Sequence, residues 1–303
     1  MRLPMPRGER SGSVTAEKLS GIVKDLPEWE YHNRPELSST EARIILSETP
    51  AVYRWKKDHP PLVQPSKKFD IGSALHSQVL GTGYEAVVIP ADILASNGAA
   101  STTKAKEFIA DAREKGLIPL KQEDFQPIAD MAEAVLRHTT ARALLEQPGA
   151  AEASVFAQVD GIDVRARFDF LPEQGDRRRI AVDVKTTRDA SERGFTRSIA
   201  DYGYDVQRQW YLDALNAITG PMPVGFEPEL LFLAVEKEPP YLVGVYQLPM
   251  VWTEMGRVKA ERARKVYAEC VASGIWPGLP DEVQLVTPPT WYVYQHEEDY
   301  SHV

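Results

Sequence analysis

The hydrophobic periodicity of the chain changes near Glu152, and this change constrains the fold more than any other sequence feature. Before Glu152, apolar residues recur at helical spacing, and one such stripe consists of Ile128, Met131, Ala132, Val135 and Leu136. After Glu152, apolar and polar residues alternate, which predicts β-strands at 153–159, 162–171 and 180–187. The Asp160-Gly161 pair is a tight-turn signal between the first two strands. The sequence therefore predicts an α/β fold with a strand-rich centre.

The remaining periodic segments are mainly helical. Helices are predicted at 38–49, 51–59, 70–80, 103–114, 122–147, 191–200, 204–218 and 249–273, and further strands at 85–89, 229–236 and 241–247. Residues 1–36 are interpreted as an N-terminal arm with a short amphipathic helix at 17–26. Residues 37–303 are interpreted as a single domain with a core at about 70–250, and the last thirty residues are expected to pack back on it.

Composition excludes several classes of protein. Hydrophobic residues make up 43% of the 303 positions, charged residues make up 26%, and no apolar window approaches a membrane span. The single cysteine, Cys270, excludes a disulfide framework and a four-cysteine iron–sulfur cluster. A net charge of -9 argues against a protein that coats nucleic acid but leaves room for a local basic groove. The first thirty residues lack the apolar segment of a secretory signal, so a cytoplasmic location without membrane association is expected.

Two acidic residues on neighbouring predicted strands suggest a metal site. Side chains alternate between the faces of a strand, so Asp183 and Lys185 point to the same side. If the strands pair as a hairpin, Asp169 converges on Asp183, and Mg²⁺ or Mn²⁺ is the natural cation between two such carboxylates. Lys185 beside the metal can orient and help deprotonate a water, or stabilise a phosphate. A surface Asp–Lys ladder that only solubilises the hairpin is the open alternative.

The spacing of these residues resembles that of a known superfamily. Asp169 followed by Asp183-x-Lys185 resembles the PD-(D/E)XK nuclease signature, with Phe168 in place of the leading proline. Gly72-Ser-Ala-Leu-His76 is similar to the Gly-Thr-Ala-x-His helix of RecB-like and RecE-like exonucleases. Gln207 and Tyr211 are similar to their Gln-x-x-x-Tyr motif. The segment from Tyr31 to Ser39 also resembles the start of the exonuclease VIII (RecE-type) domain, which phages often encode.

The resemblance implies a fold and a set of site residues. It implies a mixed central β-sheet flanked by helices, with a helical N-terminal elaboration. Lys185, Asp183, Asp169, Gln207 and Tyr211 would be catalytic, and the metal ligands would be His76, Asp169, Asp183 and the backbone carbonyl of Val184. Glu152 is a further candidate ligand. The family's usual glutamate after the histidine helix is absent at Leu80-Gly81, so Glu85 or Glu152 would replace it.

Two arginines could extend the site toward DNA. Arg165 and Arg167 share a face with Asp169 by alternation, and they would bind phosphates or pair with acids. The resemblance assigns DNA contact, or orientation of Lys185, to Gln207 and Tyr211.

The function that the resemblance implies is exonucleolytic. We expect a Mg²⁺-dependent enzyme, with Mn²⁺ as a substitute, that digests linear double-stranded DNA from 5′ to 3′ and leaves 3′ single strands for recombination. The expected partners are double-stranded DNA ends, a single-strand annealing protein and further copies of the chain in a ring. Two alternatives stay open, namely a non-catalytic DNA-binding accessory protein on the same fold and a metal-dependent endonuclease.

Overall fold

The computed structural model describes residues 18–59, 67–81, 85–175 and 177–300, and for 67–73 and 297–300 it describes the backbone alone. The strands are β1 (Gly21–Val23), β2 (Leu37–Ser38), β3 (Ala86–Val88), β4 (Ile118–Leu120), β5 (Gly149–Val159), β6 (Ile162–Pro172), β7 (Ile180–Thr187), β8 (Glu229–Glu236) and β9 (Val243–Tyr246). The helices are α1 (Glu28–Asn33), α2 (Ser39–Ser47), α3 (Pro50–Asp58), α4 (Lys67–Leu80), α5 (Thr103–Glu114), α6 (Gln122–Arg137), α7 (Thr139–Leu145), α8 (Glu192–Tyr202), α9 (Tyr204–Thr219), α10 (Met250–Ser273) and α11 (Thr290–Tyr300).

The central sheet is mixed. Its strand order is β1-β5-β6-β7-β8-β9, and β2 pairs in parallel with β6 beside this path. The strands β5, β6 and β7 form an antiparallel meander, whereas β8 runs parallel to β7 after the α8–α9 crossover. The strands β3 and β4 form a separate two-stranded sheet. The predicted mixed sheet flanked by helices is confirmed.

Helices cover both faces of the central sheet. On one face, α2, α8, α9 and α10 contribute Ile45, Phe195, Trp210 and Ala260 to one hydrophobic cluster. On the other face, α4, α6 and α7 contribute Leu75, Ile128 and Leu144 to a second cluster. The sheet is therefore buried between two helical layers, and polar groups at its centre are removed from bulk water.

The alternation of side chains breaks at Asp169. Regular alternation predicts Phe168 and Phe170 on the same face, but Phe168 packs in the α9-side cluster and Phe170 in the α4-side cluster. The strands β6 and β7 pair at Phe170 and Val182. Beyond this pair, the Asp169 carboxylate accepts the Val184 N–H at 2.6 Å. The Asp169 side chain thus continues the contact between β6 and β7 and places its carboxylate where the two strands separate.

The turn between α8 and α9 depends on a glycine. Gly203 ends α8 and begins α9 with φ +63°, a left-handed conformation that glycine adopts without steric cost. The reversal lays α9 against the sheet, where the Trp210 indole N–H donates to the Arg165 carbonyl at 3.3 Å. This packing places Gln207 of α9 against Asp183 of β7.

The sequence-based assignment is wrong in three segments. Residues 21–23, expected within a short helix, form β1 and pair with β5, because the β-branched Ile22 and Val23 favour a strand and lie beside the edge of β5. The predicted helix at 122–147 breaks at His138, whose extended backbone and ring Nδ1 cap the Ala141 N–H at the start of α7. In the C-terminal segment, which was expected to pack back on the body, the described side chains from Leu279 to His296 are exposed.

The C-terminal segment is largely exposed. Trp276 packs against Tyr53 with ring centroids 5.4 Å apart, but Leu279, Val283 and Leu285 beyond it are 84%, 97% and 99% exposed. Prolines 277, 280, 288 and 289 lack the N–H group that a regular helix needs, and the next helix begins only at Thr290. Among the helices in the described ranges, none is long and apolar enough to cross a membrane.

The approach of α10 to α9 yields a stability prediction. A Cβ on Gly256 would lie 2.3 Å from the backbone oxygen of Asp205, so Gly256→Ala must push the helices apart. We expect the free energy of unfolding to fall by about 1–3 kcal/mol, although alanine favours a helix interior over glycine. Urea denaturation measures this change. Val258→Ala, at an exposed site on the same helix, is the control, and an unchanged midpoint for Gly256→Ala would contradict the close approach.

Candidate metal centre and active site

Three side chains from three elements converge at the junction of β5 and β6. They are His76 on α4, Glu152 on β5 and Asp169 on β6, and one ligand atom of each lies within 4.8 Å of the others. The His76 Nε2 atom is 3.6 Å from Asp169 Oδ2, and the His76 Nδ1 atom is 3.9 Å from Glu152 Oε1. An imidazole and two carboxylates at this separation are a donor set that suits a divalent cation.

Val184 connects this cluster to the centre of the sheet. Its N–H donates to Asp169 Oδ2 at 2.6 Å, and its carbonyl oxygen lies 3.1 Å from His76 Nε2. The predicted carbonyl ligand therefore lies beside two of the predicted side-chain ligands.

Asp183 and Lys185 occupy the neighbouring positions on β7. Lys185 Nζ lies 2.5 Å from Asp183 Oδ2, and the Gln207 amide donates to Asp183 Oδ1 at 2.6 Å. Lys185 Nζ also lies 4.8 Å from the centroid of the Tyr204 ring, a cation–π contact. Each oxygen of Asp183 thus has a partner on α9 or β7, which fixes the orientation of this buried carboxylate.

Glu152 adopts an unusual backbone conformation. Its φ of +49° lies in the left-handed region of backbone conformation. Residues other than glycine rarely adopt this conformation. Arg167 holds its carboxylate through an Nε–Oε2 contact of 2.7 Å, and Glu152 faces His76. A strained glutamate beside two further metal-binding groups is typical of a functional site.

Burial and neighbouring charges perturb the pKa values of Asp169 and His76. Burial raises the pKa of Asp169 to about 7, the negative charges of Asp183 and Glu152 add to the rise, and His76 opposes it. Burial lowers the pKa of His76, but Asp169 and Glu152 outweigh it and raise that pKa above its ordinary value. Burial and the neighbouring carboxylates therefore disfavour the ionised form of Asp169 in the metal-free protein.

The buried donor set fits a bound cation. Oxygen donors from Glu152, Asp169 and the Val184 carbonyl, with one imidazole, suit Mg²⁺ or Mn²⁺. Ligand deprotonation couples binding of the cation to release of protons. The residues present thus fit a divalent metal, and Asp183 lies next to them on β7.

Lys185 is placed as a cation. Burial lowers its pKa, but Asp183 and Asp169 outweigh burial and raise that pKa above its ordinary value. The ammonium group therefore stays protonated near neutral pH and can donate hydrogen bonds to an anion. This charge state favours a role as a hydrogen-bond donor, and the expected help of Lys185 in deprotonating a water stays a prediction.

Arg165 does not reach the site surface. The residue is 4% exposed, and its guanidinium donates to the carbonyls of Arg34 and Glu36 and pairs with Glu41 at 3.3 Å. The alternation of side chains along the strand places Arg165 on the same face as Asp169. The pattern does not show that the N-terminal segment covers Arg165 on that face. Of the two roles expected for Arg165, the structure shows pairing with an acid, and the residue anchors residues 34–41 instead of reaching a phosphate.

The other predicted residues differ in exposure. Arg167 lines the cleft above the cluster, and its NH1 atom has no hydrogen-bond partner among the described residues. Gln207 is 5% exposed and holds Asp183, so it orients the site rather than reaching solvent. Tyr211 lines the base of the cleft and packs edge-on against Phe168. Glu152, and not the exposed Glu85, lies with His76 and Asp169.

Sequence reasoning missed Tyr204. This residue lies three positions before Gln207 and seven before Tyr211, the spacing of one helix face. The spacing indicates that Tyr204 shares a helix face with the two predicted residues. It does not show that Lys185 lies over the Tyr204 ring.

Replacing Glu152 tests the metal site. We expect Glu152→Gln to weaken Mn²⁺ binding at least about tenfold, because it removes one negatively charged donor. Isothermal titration calorimetry measures the affinity. Glu173→Gln, at an exposed site after β6, is the matched control. Equal Mn²⁺ affinity of the Glu152 variant and wild type would remove Glu152 from the ligand set.

The pKa of Asp169 predicts how stability depends on pH. The folded state keeps a proton up to about pH 7, whereas an ordinary aspartate releases it near the usual value of 3.8. Raising the pH through this window therefore removes stability from the metal-free protein, and the raised pKa of His76 acts in the same direction. In EDTA, we expect the melting temperature to fall between about pH 5 and 8. Asp169→Asn should flatten this dependence, because asparagine does not titrate and can still accept the Val184 N–H.

Differential scanning fluorimetry across this pH range provides the measurement. Asp281→Asn in the exposed C-terminal segment should keep the wild-type profile. A wild-type profile for Asp169→Asn would show that another group controls the pH dependence.

Comparison with known proteins agrees with this architecture. Residues 39–288 match the model of a family described as "PDDEXK-like domain of unknown function (DUF3799)". A search of curated protein sequences finds no significant match. The crystal structure of a protein named "Putative exonuclease" from Eubacterium rectale is similar with a TM-score of 0.58 and 13% identity, over 90% of this chain and 98% of that chain.

A second solved structure, that of SSO0001, aligns with a TM-score of 0.27 and 14% identity over 72% of this chain and 97% of that chain. The similarity to the Eubacterium rectale protein shows a shared fold. The family match spans most of the sequence and includes every residue of the metal cluster and its supporting helix α9. The resemblance predicted from Asp169, Asp183 and Lys185 is thereby confirmed, and the chain belongs to the PDDEXK-like family.

Proposed function

We propose that the protein is a divalent-metal-dependent exonuclease that hydrolyses linear double-stranded DNA, with Mg²⁺ as the expected metal. The observation that carries the proposal is the convergence of His76, Glu152 and Asp169 beside the Asp183–Lys185 pair. The family match supports a nuclease-type core. The name of the Eubacterium rectale structure favours the exonuclease class over other nucleases.

Each residue has a defined task in this proposal. His76, Glu152, Asp169, Asp183 and the Val184 carbonyl would hold the metal, which when bound would supply positive charge at the scissile phosphate and lower the pKa of a water. Lys185 remains an ammonium and donates to a phosphate oxygen or to the attacking water. Gln207 and Tyr204 keep Asp183 and Lys185 in position, and Arg167 does the same for Glu152.

The direction of digestion belongs to the same proposal. We propose that degradation proceeds from the 5′ end and leaves 3′ single strands, the substrate form that a recombination pathway uses.

Digestion of linear and covalently closed circular duplexes tests the activity. We expect wild type to degrade the linear form with Mg²⁺ and not with EDTA. Lys185→Ala should lose at least about 100-fold in rate, because one donor to the developing charge is removed. Lys56→Ala, which removes an exposed lysine on α3, is the matched control. Labels on the 5′ or the 3′ ends report the polarity.

Other outcomes contradict the proposal in distinct ways. Cutting of the closed circle would identify an endonuclease on the same fold. If neither DNA is degraded with Mg²⁺ or Mn²⁺, catalysis is rejected in favour of a DNA-binding accessory protein.

A further inference from the structure

A cleft of about 830 Å³ opens outward from the metal cluster. Its inner end is lined by His76, Glu152, Asp169 and Tyr211. Its mouth lies between the segment 25–32, which includes α1, and the end of α5 at 113–116. The volume is that of a pocket for a small ligand. A few nucleotides of one strand fit this size, whereas a duplex, whose major groove alone is about 12 Å wide, does not.

The charge of the lining does not by itself attract a polyanion. Acidic residues in the lining outnumber arginines and lysines by five to three, and the five are Asp25, Glu28, Glu114, Glu152 and Asp169. Two of these acids belong to the metal cluster, so a bound cation offsets part of their charge. A strand that enters this cleft must therefore gain much of its affinity from a contact other than Coulomb attraction.

Trp29 supplies a surface for such a contact. The indole lies on α1 at the cleft mouth and is 63% exposed. The same helix is anchored from below by Tyr31, which is 6% exposed and lies under the guanidinium groups of Arg165 and Arg167. An exposed indole on an anchored helix offers a flat face at a defined place, which favours stacking of a planar ring.

The lining of the cleft also carries cations. Lys115 and Arg113 lie at the end of α5, and Lys115 pairs with Asp111 at 2.7 Å on the exposed side of the helix. Such a surface pair contributes little to stability and exchanges readily for another anion. An exposed aromatic ring and a lysine in the same cleft are a combination with which proteins hold single-stranded nucleic acid.

We propose that Trp29 and Lys115 form a binding subsite for single-stranded DNA, in which a base stacks on Trp29 and Lys115 contacts a phosphate. This inference rests on the proposed nuclease function for its biological meaning, but binding can be measured without cleavage. The strand enters the cleft separated from its complement, and the stacked base lies outward of the phosphate that reaches the metal cluster.

Binding of a short labelled strand tests the subsite. Fluorescence anisotropy of oligothymidylate of about six nucleotides, in Ca²⁺ and in EDTA, measures the affinity. We expect Trp29→Ala to weaken binding by about 5- to 150-fold and Trp29→Tyr to retain most of it, since tyrosine also stacks. Trp55→Ala is the matched control, because Trp55 is 62% exposed on α3 and does not line the cleft.

Salt dependence separates the two contacts. Lys115→Ala should reduce the slope of log affinity against log salt by about 0.7, whereas Trp29→Ala should leave the slope unchanged. If wild type does not bind the strand, if Trp29→Ala binds within about twofold of wild type, or if Trp55→Ala loses as much affinity, the subsite is rejected.

A parallel digestion of linear duplex by wild type distinguishes the two proposals. Digestion with an unaffected Trp29→Ala affinity rejects the stacking subsite and leaves the nuclease proposal intact. Weakened binding by Trp29→Ala without any digestion rejects the nuclease proposal and leaves a single-strand binding site.

Discussion

The two polar backbone groups of Val184 hold the candidate site together. The N–H of Val184 donates to Asp169 on β6, and its carbonyl lies beside His76 on α4. One residue at the centre of the sheet therefore fixes two side chains that come from different elements. Because both faces of the sheet are covered by helices, these contacts lie in a region of low polarity, where unmet hydrogen-bonding groups are costly.

The same burial gives the site its chemistry. A carboxyl group with a pKa near 7, next to two further carboxylates, is unfavourable for the folded chain alone. The strained backbone of Glu152 adds to this cost. The fold tolerates both because two large hydrophobic clusters stabilise the sheet around them. A site that is unfavourable when empty favours the binding of a cation.

Much of this arrangement follows from local sequence patterns. The bounds of β7 and β8 at 180–187 and 229–236 agree with the sequence-based expectation, since alternation and flanking turns are local signals. The association of Asp169 with Asp183 follows from strand order. The burial of Arg165 does not follow, because it depends on which segment covers the sheet face. The conformation of Glu152 likewise does not follow from the hydrophobic periodicity, since its positive φ is a local departure from strand geometry within β5.

The face of α9 that carries Tyr204, Gln207 and Tyr211 has a further consequence. These side chains contact Lys185, Asp183 and Phe168, so a single rigid helix supports three positions on two strands. Residues joined in this way do not act independently, and the energetic effects of replacing them are not additive. Evolution of this site is therefore constrained at the level of the helix, and a substitution accepted at one of these positions changes which residues are tolerated at the other two.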